Sequence, residues 1–186
     1  DLEFFEQNNI GGVTLFSNNV QNQAQLEELN KKINNSTELV KPFISVDQEG
    51  GIVKRISWDS TGSHKEIAAL SREKQCESWR ERSKTLSDLG INWNLGIVAD
   101  VSQDPEAFIF PRIFSDNYSE AADSVEVAVE CSPSTISTLK HWPGHGATKV
   151  DTHKELGKLE VINQEIWNKT DNLPFLEGKG SESIMV

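Results

Sequence analysis

Short, almost unbroken apolar runs recur along this chain with helix-length segments between them, and that alternation constrains its fold most. Gly11-Gly12-Val13-Thr14-Leu15-Phe16 lies before the turn-like Ser17-Asn18-Asn19. Pro42 to Val46, Ile91 to Val101, the segment from Pro133 to His141, and Ser183 to Val186 are the other runs. Strands apolar on both faces belong to parallel sheets covered by helices. Between them, Leu26, Leu29 and Ile33 recur at helical spacing, with Glu27, Glu28, Lys31 and Lys32 on the other faces. Helices are also predicted over 65–89, stopped by Gly90, over 119–130 and over 162–176. The order β-α-β-α-β-α-β-α-β predicts an α/β fold. A (β/α) barrel and a doubly wound open sheet both fit it. The open sheet usually carries a glycine-rich phosphate loop, and neither GxGxxG nor GxxxxGK[ST] occurs.

A chain of 186 residues, 36% hydrophobic and 25% charged, can bury the core of one globular domain. The net charge of −11 argues against a nucleic-acid partner, whose phosphates need a basic surface, and suits a neutral or cationic small ligand. No apolar run approaches the roughly 18 residues that span a bilayer. The opening Asp1-Leu2-Glu3 is not a basic–apolar signal segment. Cys76 and Cys131 lack zinc-type spacing and are expected as two separate buried thiols. Asn34, Asn35, Asn117 and Asn168 each begin an Asn-X-Ser/Thr triplet, too common a pattern in an Asn-rich chain to fix a compartment, so localisation stays open.

Titratable residues cluster just past the predicted strand ends, where α/β enzymes place their chemistry. Lys140 to His153 holds three of the four histidines, His141, His145 and His153, around Pro143, Gly144 and Gly146. Asp151 and His153 alternate on an extended loop, so the carboxylate can orient the imidazole and stabilise its charged form, half of the logic of a catalytic triad. An incidental Asp-Thr-His on a solvated loop fits the spacing equally well. His141, His145, Asp151 and His153 also have the donor types of a zinc or iron site, although no HExxH-like spacing supports one. Asp47-Gln48-Glu49-Gly50-Gly51 with Lys54 and Arg55 brings carboxylates and cations together, a mixture suited to a polyhydroxylated ligand. A surface salt-bridge cluster is the plainer alternative. Of the five tryptophans, Trp142 is the one inside the histidine loop.

Lys140-His141-Trp142-Pro143-Gly144-His145-Gly146 with Asp151-Thr152-His153 resembles the KHFPGHG…DSH signature of bacterial β-N-acetylhexosaminidases of glycoside hydrolase family 3. Gly11 to Asn19 resembles GGxxLFxxN, and Val46 to Arg55 resembles VDQEGGRVxR. Gly90 to Val101 and Arg112-Ile113-Phe114 resemble GINxNxAPVxDV and the RSFG element, and Asp171 to Phe175 resembles DLLPF. The resemblance spans nearly the whole chain in order. It implies a (β/α)8 TIM-type barrel and a retaining hydrolase that removes terminal β-linked N-acetylglucosamine, typically from peptidoglycan fragments. Asp47, Arg55, Arg112, Lys140 and His141 are expected to hold the sugar. His153, oriented by Asp151, is expected to be the general acid–base. The expected partner is a small carbohydrate, with no cofactor and no metal.

Ile52 and Ala147 replace an arginine and a frequent aspartate of the family pattern, and Trp142 replaces a phenylalanine. The family's nucleophilic aspartate, in a later Ser-Asp-Asp segment, is expected beyond Val186; Ser87-Asp88-Leu89 sits in a predicted helix and is no substitute. The family's first strand is expected before Asp1. Residues 1–186 are therefore expected to form one barrel domain truncated at both ends, with about five of eight strands, inactive alone and open to pairing at its sheet edges. The alternatives are a non-catalytic carbohydrate-binding or partner-completed fragment, and a metal-dependent hydrolase built on the histidine loop.

Overall fold

A computed structural model describes residues 2–8, 10–36, 40–148 and 163–186. Its elements are α1 (Leu2–Gln7), β1 (Gly12–Leu15), α2 (Gln23–Asn34), β2 (Phe43–Val46), α3 (His64–Ala68), α4 (Arg72–Asp88), β3 (Trp93–Val98), α5 (Tyr118–Glu130), β4 (Ile136–Lys140), α6 (Gln164–Lys169), α7 (Leu173–Glu177) and β5 (Ser183–Ile184). The five strands form one parallel sheet in the order β1-β2-β3-β4-β5. Strand order that follows chain order is the wall of a barrel; a doubly wound sheet reverses direction at a switch point. The fold is thus α/β, as the sequence pattern predicts, with the partial TIM-like barrel that the resemblance implies. Among the described residues no helix is long and apolar enough to cross a membrane.

Burial explains the alternation along each strand. Leu15, Ile44, Val46, Ile97 and Leu139 face the helices and are fully or almost fully buried. Leu15, Ile44 and Val46 pack with Leu26, Ile33 and Leu86, and Ile97 and Leu139 with Trp79, Val125 and Phe175. The opposite face is more polar than unbroken apolar runs suggest. There Thr14 Oγ1 lies 2.8 Å from Ser45 Oγ, and Trp93 Nε1 donates to Thr138 Oγ1 at 2.6 Å. Side chains that alternate between two faces let one strand serve both environments.

The predicted helix over 65–89 is two helices. Ser63 and Glu66 form a reciprocal capping box at α3, and Ser71 opens α4. Gly90, at φ +80°, ends α4 where a side chain would be strained. The predicted helix over 162–176 also divides, into α6 and α7, with Pro174 in the first turn of α7, where its missing N–H costs nothing. α1 precedes the first of the predicted elements. Cys76 and Cys131, expected as separate thiols, form a disulfide with Cα atoms 5.1 Å apart. The packing of α4 against α5 brings together two residues 55 positions apart, a proximity that spacing alone cannot show.

Candidate active site

Asp47, Glu49, Asp100, Lys140 and His141 sit at or just past strand ends on one rim of the sheet, and Arg55 and Arg112 reach them from the loops that follow β2 and β3. β2 ends at Val46 and delivers Asp47 and Glu49, β3 ends at Val98 and delivers Asp100, and β4 delivers Lys140 and then His141. Lys140 Nζ lies 2.7 Å from Asp47 Oδ1 and 2.6 Å from Glu49 Oε1. Arg112 grips the same Glu49 with both arms, Nε to Oε2 at 2.9 Å and Nη2 to Oε1 at 2.7 Å. Its Nη2 is also 3.3 Å from His141 Nε2. Two carboxylates thus bind two cations and an imidazole into one network.

Glu49 and Lys140 are almost fully buried, at 1% and 2% exposure. Burial alone would raise the Glu49 pKa, but the Arg112 hydrogen bond and the charges of Lys140 and Arg112 outweigh it and hold the carboxyl at about 2. Burial opposes the Arg112 charge as well, yet Glu49 more than offsets it, so the guanidinium is held above its ordinary pKa. Glu49 therefore stays ionised as a structural anchor and is unsuited to donating protons near neutral pH. Asp47 is more open, and Lys140 keeps one N–H beyond the two that these carboxylates engage.

Gln48 shapes the loop that carries Arg55. Its Oε1 accepts from the backbone N–H groups of Arg55 and Ile56, both at 2.9 Å, and its Nε2 donates to Asp59 Oδ2 at 2.7 Å. Arg82 holds Asp59 Oδ2 through Nε at 3.0 Å, Glu49 O through Nη1 at 3.2 Å, and the Gly62 carbonyl. Folded back in this way, Arg55 brings Nη2 to 4.0 Å from Asp47 Oδ2 and lies over the Phe16 ring. Its Nε has no hydrogen-bond partner among the described residues, which makes it the least committed cation of the group. The cluster is no surface salt-bridge patch, since its central members are buried.

The histidine loop is fastened from three sides. Asp100 accepts from His141 N at 3.1 Å, from His141 Nδ1 at 2.6 Å and from His145 N at 2.7 Å. Ser102 Oγ donates to Gly146 O at 2.8 Å, and Trp167 Nε1 to Pro143 O at 2.9 Å. A Cβ on Gly146 would run into the Val101 carbonyl, so only glycine allows this approach. The Lys140–His141 and Trp142–Pro143 peptides are cis. Thr148 Oγ1 lies 2.9 Å from His145 Nδ1.

Of the residues expected from the sequence, Asp47, Arg112, Lys140 and His141 meet directly, and Arg55 stands beside Asp47. Asp151 and His153 lie outside the described residues. Gln48 and Glu49 fall in the Asp47–Arg55 cluster expected from the sequence but without individual roles, and Asp59, Arg82 and Asp100 have no expected site role. Asp100 and Glu49 had a signal, as acidic residues at strand ends, whereas Asp59 and Arg82 had none. Among the described residues no group of three or more His, Cys, Asp or Glu side chains is arranged to hold a metal ion.

Residues 2–186 match the family described as Glycosyl hydrolase family 3 N terminal domain. The chain belongs to this family. It is similar to beta-hexosaminidase A of Pseudoalteromonas piscicida, with 34% identity over 94% of this chain and 31% of the relative. Among solved structures, it superposes with a TM-score of 0.92 on a glycoside hydrolase family 3 beta-N-acetylglucosaminidase from Paenibacillus sp. str. FPU-7, at 26% identity, covering 100% of this chain and 37% of that one. It also matches NagZ from Neisseria gonorrhoeae in complex with N-trifluoroacetyl-D-glucosamine, with TM-score 0.83, 25% identity and coverage of 95% and 56%. The glycosyl hydrolase family 3 segment seen here thus spans between about a third and somewhat over half of these proteins.

Proposed function

We propose that this chain carries the sugar-binding half of a retaining β-N-acetylglucosaminidase site. The buried Asp47–Lys140–Glu49–Arg112–His141 network on the rim of the sheet is the observation that carries this reading. It presents N–H donors and carboxylate acceptors at fixed positions, the complement of a ring of hydroxyls that both donate and accept. The names of the relatives and the amino-sugar ligand in the Neisseria structure support the same substrate class. Peptidoglycan fragments are the natural source of such sugars that we favour.

In this reading Asp47, Arg55, Arg112, Lys140 and His141 hold the terminal sugar. His153, oriented by Asp151, gives its proton to the leaving oxygen as a carboxylate attacks the anomeric carbon and the glycosidic bond breaks. Water then adds at the anomeric carbon, returns a proton to His153 and releases the carboxylate, so configuration is retained. No cofactor is needed for these steps. Glu49 is saturated by cations and Asp100 by N–H groups, so the nucleophile is assigned to a carboxylate outside this cluster. The free edges of β1 and β5 are where further strands would close the barrel.

The test is hydrolysis of aryl N-acetyl-β-glucosaminides by the 186-residue chain and by a form extended to the length of its relatives. We expect turnover only in the extended form. In that form His153→Ala should slow substrates with poor leaving groups far more than nitrophenyl substrates, because only the poor leaving group needs the proton. Equal activity of the short chain would place the nucleophile within it, and an unchanged His153→Ala would remove the dyad from the mechanism.

A further inference from the structure

Asp100 is fully buried, and its two oxygens meet three N–H groups: Oδ2 faces His141 N and Nδ1, and Oδ1 faces His145 N. An ionised carboxylate only accepts, so the proton of the 2.6 Å contact resides on His141 Nδ1. On the other side of the ring, Nε2 faces Arg112 Nη2 at 3.3 Å. A guanidinium only donates, so His141 Nε2 presents its lone pair. The histidine side chain keeps 25% of its surface open, whereas Asp100 keeps none.

We propose that Asp100 is a positioning residue that fixes His141 in the Nδ1–H tautomer and so makes Nε2 a hydrogen-bond acceptor for one ligand hydroxyl. This inference rests on the sugar-binding reading above and adds a polarity to it. Lys140, Arg55 and Arg112 supply donors, and His141 joins Asp47 on the acceptor side. A hydroxyl at His141 must therefore bring its own proton and take over the single Nε2 lone pair from the Arg112 N–H, from which its oxygen then accepts. An ether or fluorine at that position has no proton to give and is rejected.

Asparagine cannot replace Asp100. With its oxygen toward His141, the NH2 group meets the His145 N–H donor head on. With the amide reversed, the NH2 donates to Nδ1, which drives the imidazole to the Nε2–H tautomer and turns a donor against Arg112. The same carboxylate thus sets both the loop path and the ring's proton.

The experiment is 15N NMR of the imidazoles in the labelled protein at pH 7, followed by titration with N-acetylglucosamine. We expect a protonated Nδ1 and an unprotonated Nε2 on His141 in the parent. Asp100→Asn should move the ring to the other tautomer or to an average of the two, and weaken N-acetylglucosamine by about tenfold or more. Ser102→Ala, which removes the hydrogen bonds of Ser102 Oγ to Gly146 O and from Asp104 N but none to Asp100 or His141, should leave the tautomer as it is. An Nε2–H tautomer or a doubly protonated ring in the parent would overturn the inference, even if Asp100→Asn fails to fold. An unmoved tautomer in a folded Asp100→Asn would overturn it as well. The expected tautomer without any N-acetylglucosamine binding would uphold the positioning role and sink the sugar reading instead.

Discussion

Glu49 shows how one buried residue can organise a site. Its carboxylate lies between Arg112 and Lys140 in a nearly water-free position, so removing its charge leaves two cations with less compensation. Breaking a buried pair by deleting one partner costs more than the pair contributes, about 3 kcal/mol or more. Glu49→Gln, nearly isosteric, should therefore lower stability by that order in urea titrations and weaken amino-sugar binding with it. Surface ion pairs offer the contrast. Lys84→Ala, which breaks an exposed contact with Asp88, should change stability by less than about 0.5 kcal/mol in the same assay. The motif Asp47-Gln48-Glu49 was legible as a polar cluster at a strand end, but the division of labour within it was not. Which carboxylate is buried and which stays open depends on Arg112 and Lys140, 63 residues and 91 residues further along the chain.

At the scale of elements, the disulfide between Cys76 on α4 and Cys131 just after α5 ties two neighbouring helices of the outer layer. Cross-linking residues 55 apart removes unfolded-state freedom. By loop-closure entropy this contributes at most about 4 kcal/mol, and measured values usually fall somewhat lower. Reduction, or Cys131→Ser, should lower the melting temperature by roughly 5–15 °C in calorimetry. An unchanged melting temperature would mean that helix packing alone sets the outer layer. Disulfides persist in oxidising compartments, so the bond is a physical pointer to one. The helix and strand types were legible from periodicity, and the boundaries less so. The splits fall at local signals, a cap residue at Ser71 and a proline at Pro174, whereas the disulfide comes from packing between distant elements.

At the scale of the whole molecule, acid should erode stability over two overlapping ranges of pH. His64 is fully buried between Trp79 and Phe114; burial, the largest influence, holds its pKa down at about 3, although the Glu49 charge pulls the other way. The unfolded chain takes up this proton from about pH 6.5 downward and the folded chain refuses it, so stability falls as pH drops through that window. Glu49, depressed from 4.5 to about 2, loses its contribution as pH falls through that lower range. Urea unfolding from pH 7 to 4.5 should show a loss on the order of 1 kcal/mol per pH unit below the first threshold. His64→Gln, which keeps a donor toward Gly96 O, should flatten that slope and leave the lower one. The sequence alone determined the α/β class and the strand ends at which polar residues gather, because hydrophobic periodicity is a local property; the candidate sugar-binding set follows from the resemblance of its motifs to the family pattern. Only the tertiary structure decided the barrel-like strand order, the buried Glu49 anchor, the grip of Asp100 on the histidine loop and the disulfide. Each of these depends on residues far apart in the chain meeting in a place where water is excluded.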